Sequence, residues 1–193
     1  MIGLRTALVA AVLALAGCAS SPQSSFYTLS ATAAPAAPSV ASTYGVSVGP
    51  VSVPETVDRP QMTLQVSANQ VAIDEFHRWA EPLAGGIAQA VAANLRSLLG
   101  TARIAAAPAV TGGKPEYRVA MNVVRFESKL GDSATLDVLW TIGRGDDDAV
   151  RSGHSEVVQP AGSGYDALVA AHSRALARVS EDIAAAIRSL AGG

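Results

Sequence analysis

Cys18 is the only cysteine among the 193 residues. One thiol allows no internal disulfide and no cysteine-built metal cluster. The fold must therefore form without a disulfide or a cysteine-bound metal. Cys18 also closes a leader. Arg5 supplies a positive charge, residues 7–15 are apolar, and small residues precede a cut site, which is the layout of an export signal. The apolar run is shorter than the roughly 20 residues that a bilayer-spanning helix needs. No later apolar run reaches that length either.

Leu15-Ala16-Gly17-Cys18 resembles a bacterial lipobox. The resemblance implies diacylglycerol on the Cys18 thiol, cleavage before Cys18 and acylation of the new N-terminus. Each buried CH₂ is worth about 0.8 kcal/mol, and two or more chains make such an anchor stable. A lone free thiol is a liability in the oxidising periplasm, and lipidation removes it. In Gram-negative bacteria an Asp after the cysteine tends to retain a lipoprotein in the inner membrane. Ala19 stands there instead, which implies the periplasmic face of the outer membrane.

Residues 1–17 then form a cleaved signal peptide, and residues 18–43 a lipidated tether with an Ala/Pro/Ser-rich stretch. Residues 44–193 form a single periplasmic domain of common size. Within the tether, 19–25 are small and polar, 26–29 (Phe-Tyr-Thr-Leu) make a short β-prone island, and 31–43 lack periodicity and read as loop or disorder. The island can pair with its own domain or with a neighbour. Net charge is −2 and no basic stripe or Lys/Arg cluster stands out, so nucleic-acid binding has little support.

Alternation over 44–53 predicts a strand, with a bulge or edge position at Gly49-Pro50. Residues 62–66 and 70–73 read as strands around a turn at Ser67-Ala68-Asn69. Residues 74–81 read as a connector into a helix over 82–99. Its apolar face is Leu83, Ile87, Val91, Leu95 and Leu98, and Gly100 is its stop. A short strand over 102–106 and a loop over 111–115 follow. Strands from Tyr117, around residues 135–142 and over 150–158 then form an antiparallel meander, with a bulge near Val124. The last helix opens with Ser163 as N-cap and Asp166 in its first turn. Tyr165, Leu168, Val169, Leu176, Val179, Ile183, Ile187 and Leu190 make its apolar face. The expected class is α+β, a two-layer domain in which two helices pack on one face of a mainly antiparallel sheet.

Several segments together resemble the ABC-type transport auxiliary lipoproteins, the PqiC/YmbA-like family. They are the lipobox, Phe26-Tyr27-Thr28-Leu29, Val48-Gly49-Pro50-Val51, Asp58-Arg59-Pro60-Gln61, and Glu75-Phe76-His77-Arg78-Trp79-Ala80-Glu81-Pro82-Leu83. The helix with Asn94-Leu95 that ends at Leu99-Gly100 also fits. After Val124 only the strand–strand–helix layout is shared. The resemblance implies a non-catalytic periplasmic subunit that accompanies an MCE-domain protein or the permease and ATPase of an ABC transporter. Lipids or other hydrophobic molecules pass between membranes in such systems. The chain has no GxxxxGK[ST] phosphate loop and so is not itself the ATPase.

Residues that carry chemistry are few. His77, His154 and His172 stand in no metal-ligand spacing. An enzyme would use His77 as base and Glu81 to orient it, but no nucleophile accompanies them and no serine sits in a GxSxG elbow. Asp146-Asp147-Asp148 lacks the alternating ligands of a calcium loop and reads as a solvated hairpin tip. No metal and no cofactor beyond the covalent lipid on Cys18 are expected. In residues 76–81, Phe76 and Trp79 plug the core while His77, Arg78 and Glu81 pair at the surface, or the stretch is a partner interface. The candidate interface is Phe26, Tyr27, His77, Arg78, Trp79 and Glu81. The edge near 150–158 can accept another strand, a route to a homo-oligomer. The alternative function is an independent lipid-binding or envelope-assembly lipoprotein, with an apolar pocket between sheet and helices.

Overall fold

The computed structural model describes residues 23–35, 44–109, 113–145 and 149–192. Cys18 and its leader, the tether beyond Pro35 and Asp146-Asp147-Asp148 lie outside the described residues. In chain order the elements are β1 (Ser25–Tyr27), β2 (Val46–Ser52), β3 (Gln61–Ser67), β4 (Gln70–Trp79), α1 (Leu83–Leu99), β5 (Ile104–Ala106), β6 (Tyr117–Lys129), β7 (Ser133–Arg144), β8 (Ala149–Pro160) and α2 (Tyr165–Ala191).

Five strands form one sheet in the order β5-β2-β6-β7-β8. β2 runs parallel to β5 and β6, while β6, β7 and β8 form the antiparallel meander. Strict alternation drives these strands: Tyr117, Val119, Met121 and Val123 are buried, as are Leu136, Val138, Trp140 and Ile142. Both expected irregularities are present, with register shifts between Val48 and Val51 and between Val123 and Arg125. Gly49 sits at φ 135°, a conformation that excludes most side chains.

α1 covers β2 and β5, α2 covers β7 and β8, and the helices touch each other. Val48, Ile87, Leu95, Val119, Leu136, Ile142, Leu176 and Ile183 are fully buried in the core around them. Each such burial contributes about 1.5–3 kcal/mol. The class is α+β. A second sheet, ordered β1-β4-β3, adds to the single sheet expected, and β3 packs beside β6. Two helix starts shift. Pro82 is the N-cap of α1. Gly164, not Ser163, caps α2, with φ 88° and no side-chain cap bond, and Asp166 remains in the first turn.

Candidate functional site

The stretch expected as a connector is the second half of β4. Asp74 begins it. Its Oδ1 accepts the backbone N–H groups of Phe76 at 2.9 Å and His77 at 3.0 Å. This local turn competes with the ladder. The pairing with β3 accordingly jumps from Met62–Asp74 to Gln61–Arg78. Beyond the jump, β4 pairs in parallel with β1: Ser25 with His77, Phe26 with Arg78 and Tyr27 with Trp79. The Phe-Tyr island thus pairs within its own domain.

His77 turns inward. Its ring stacks on Tyr165 with centroids 3.6 Å apart and planes 5° apart, and Tyr27 lies 6.0 Å from His77 and 6.1 Å from Tyr165. The Tyr165 hydroxyl donates to Asp74 Oδ2. His77 Nδ1 lies 3.0 Å from Asp74 Oδ1, within ion-pair distance but without aligned hydrogen-bond geometry. Burial disfavours ionised Asp74, yet the Tyr165 hydroxyl, His77 and the two N–H groups outweigh it and hold the carboxyl well below the usual range. Burial, followed by the Asp74 carboxylate, pushes the Tyr165 phenol well above its ordinary value. Glu81 does not orient His77; it accepts a hydrogen bond from Gln89 Nε2 at 2.6 Å. The cluster therefore joins β1, β4 and the start of α2 as a clamp. Among the described residues no group of three His, Asp or Glu side chains could hold a metal ion.

The chain after β1 continues across the helices. Ser30 N–H donates to Ser173 Oγ at 3.1 Å, and Thr32 Oγ1 donates to the Ser173 carbonyl at 3.2 Å. The N–H groups of Thr32 and Ala33 both donate to Asn94 Oδ1 at 2.9 Å. Asn94 is fully buried. Residues 31–35, expected as loop or disorder, have no regular secondary structure but begin as a strap fixed to both helices.

The other candidates divide between two surfaces. Trp79 is 7 % exposed and edge-on to Phe126 at 5.9 Å, so its ring belongs to the core rather than to a projecting surface. Phe76 does not plug the core; it is 42 % exposed, and Phe26 is 63 % exposed. Arg78 Nε donates to the Glu75 carbonyl at 2.8 Å, and its Nη2 lies 3.6 Å from the Glu75 carboxylate. On the Trp79 side, Asp58, Arg59 and Pro60 meet Ala80, Glu81, Pro82 and Leu83 around a groove of about 410 Å³. The Trp79 N–H donates to the Pro60 carbonyl at 2.7 Å and ties the two segments together. Arg59 Nε has no hydrogen-bond partner, and Arg59 makes no ion pair among the described residues. A second, larger groove of about 730 Å³ runs beside α1, lined by Leu29, Ala31, Ala90, Ala93, Arg96 and Ala107 among others.

A family model described as "ABC-type transport auxiliary lipoprotein component" matches residues 27–184. The chain belongs to this family. It is an auxiliary component of ABC-type transport systems, which is not an enzyme class. Among solved structures, a Xanthomonas campestris protein is 20% identical with a TM-score of 0.69, covering 83% of this chain and 93% of its own. A second, described as an uncharacterized protein, is 23% identical with a TM-score of 0.67, covering 86% and 99%. Both share the fold. No curated protein matches the chain. Among the described residues no helix is long and apolar enough to cross a membrane; the family is one of lipoproteins.

Sequence reasoning missed Asp74, Tyr165, Asn94 and Ser173 as a set. Asp74 carried a signal, since Asp favours turns by bonding its own backbone two residues on. Asn94 and Ser173 sit at buried positions of helices, where a short polar residue implies a buried partner.

Proposed function

We propose that this lipoprotein is a non-catalytic subunit that ties an MCE or ABC-type transport system to the outer membrane, on its periplasmic side. The system moves lipids or other hydrophobic molecules between membranes and so supports envelope integrity. The observation that carries this reading is the groove between residues 58–60 and 79–83. It brings two separate sequence segments together around Arg59, whose buried Nε has no hydrogen-bond partner, and an apolar floor of Pro60, Pro82, Leu83 and the rim of Trp79. An arginine beside apolar surface suits a protein partner that presents a carboxylate. The filled space between sheet and helices supports a positioning role over a carrier role.

The reading is tested by a photo-crosslinking residue in place of the exposed Asp58, which lines the same groove and leaves Arg59 intact, in cells. The expected result is one adduct with an MCE-domain or ABC-transporter component, absent when the same residue replaces Leu139. No adduct at either position, in protein that is folded and exported, counts against it. The alternative, an independent lipid binder, has one observation in its favour: the groove beside α1 is roomy and lined in large part by alanines, although Glu81, Gln89 and Arg96 also line it. That groove lies outside the sheet–helix interface where a carrier pocket was expected.

A further inference from the structure

We propose that the outer face of the β1–β4 pair is a second membrane contact, at which Phe26 and Phe76 enter the same lipid surface that holds the Cys18 anchor. The inference rests on the lipidation of Cys18 given above. Phe26 and Phe76 are 63 % and 42 % exposed, in a chain with only three phenylalanines. Phe26 lies opposite Arg78 in the parallel pair, and residues two apart on a strand share a face. Arg78 and Phe26 share a face and Phe76 beside them is exposed as well, while His77 and Tyr27 turn inward to Tyr165.

Chain length places this face beside the bilayer. From Cys18 to Ser25 the chain advances seven residues. Fully extended, that is at most roughly 25 Å. The strand cannot drift once there, because β1 is bonded to β4, the Tyr27 carbonyl accepts the Ala80 N–H at 2.9 Å, and the following residues are fixed by Asn94 and Ser173. The first described element after the anchor thus carries an exposed aromatic ring at its centre. Arg78 is balanced locally by Glu75, so the contact is apolar insertion rather than attraction to anionic lipid. An apolar insertion of this kind adds a second signal to the acyl anchor and fixes the orientation of the domain over the membrane, with the Arg59 groove in a constant direction.

The test uses the full-length lipoprotein in phosphatidylethanolamine–phosphatidylglycerol vesicles that include phospholipid brominated on its acyl chains. Phe26→Trp adds a reporter; the native Trp79 and Trp140, each 7 % exposed, set the background. Leu139→Trp, 46 % exposed on the outer face of the larger sheet, is the comparison. The Phe26→Trp reporter is expected to lose more than about half of its added emission to the bromolipid, and the Leu139→Trp reporter to lose little. Equal quenching of the two reporters overturns the contact, and so does a residue-26 reporter shielded from aqueous quencher yet untouched by bromolipid, which puts a protein surface there instead. The mass of the N-terminal peptide separates the two levels of the argument. An unacylated Cys18 removes anchor and contact together; an acylated Cys18 with an unquenched reporter removes the contact alone.

Discussion

His172 shows how much one side chain can carry. It is fully buried on α2, stacked on Phe126 at 4.0 Å, with Nε2 2.8 Å from Ser128 Oγ and Nδ1 without a partner. Burial pushes its pKa down to about 3. In the unfolded chain a histidine takes up its proton near pH 6.5. Below that pH the unfolded state binds more protons than the folded one, so stability falls as pH drops toward 3. The loss between pH 7 and pH 5 comes to about 2 kcal/mol. Urea unfolding should show that fall in the wild type and little of it in His172→Gln; an equal fall in the variant would refute the assignment. Gly153 makes a similar point about size. A Cβ there would lie 2.0 Å from the Trp140 ring, so the glycine gives room for an indole that donates to Ser155 Oγ, which in turn donates to Asp182. Neither role was legible in the sequence, where His172 stood in no ligand spacing and Gly153 looked like any strand glycine.

Among the elements, the strap after β1 is held to both helices by a few side-chain hydrogen bonds. Asn94 Oδ1 takes two backbone N–H groups at once. In Asn94→Ala both lose their acceptor. Amide exchange at Thr32 and Ala33 is expected to rise by about tenfold or more while β6 and β7 keep their protection. Unchanged exchange at those two amides would show that the strap is held by something else. Elements built on period 2 or 3.6 were legible: the β6–β8 meander, both helices, and the bulges near Gly49 and Val124 lie where the pattern puts them. The second half of β4 was not. Asp74 bonds its own backbone there, and the residues that follow alternate neither in polarity nor in burial. The parallel partner of β4 lies far earlier in the chain, beyond any local signal.

For the whole molecule, the resemblance in the sequence reached the family, and the fold supplied what one strand or helix could not show. The Asp58–Arg59–Pro60 and Trp79–Leu83 segments stood apart in sequence and meet at one groove. Trp79, read as an interface candidate, turned out to be mostly core because β4 runs on through it. The interface proposal therefore moves from the Trp79 ring to the charged rim beside it, and the exposed Phe26 face becomes available for the membrane. The central claim is that the domain positions a transport machine rather than carrying lipid itself. Affinity purification of the native lipoprotein from solubilised envelopes, with bound proteins and lipids both quantified by mass spectrometry, decides it most directly. An MCE-domain or ABC-transporter component recovered with little phospholipid, and lost in Arg59→Glu, is the predicted result; stoichiometric phospholipid with no transport protein would contradict the account.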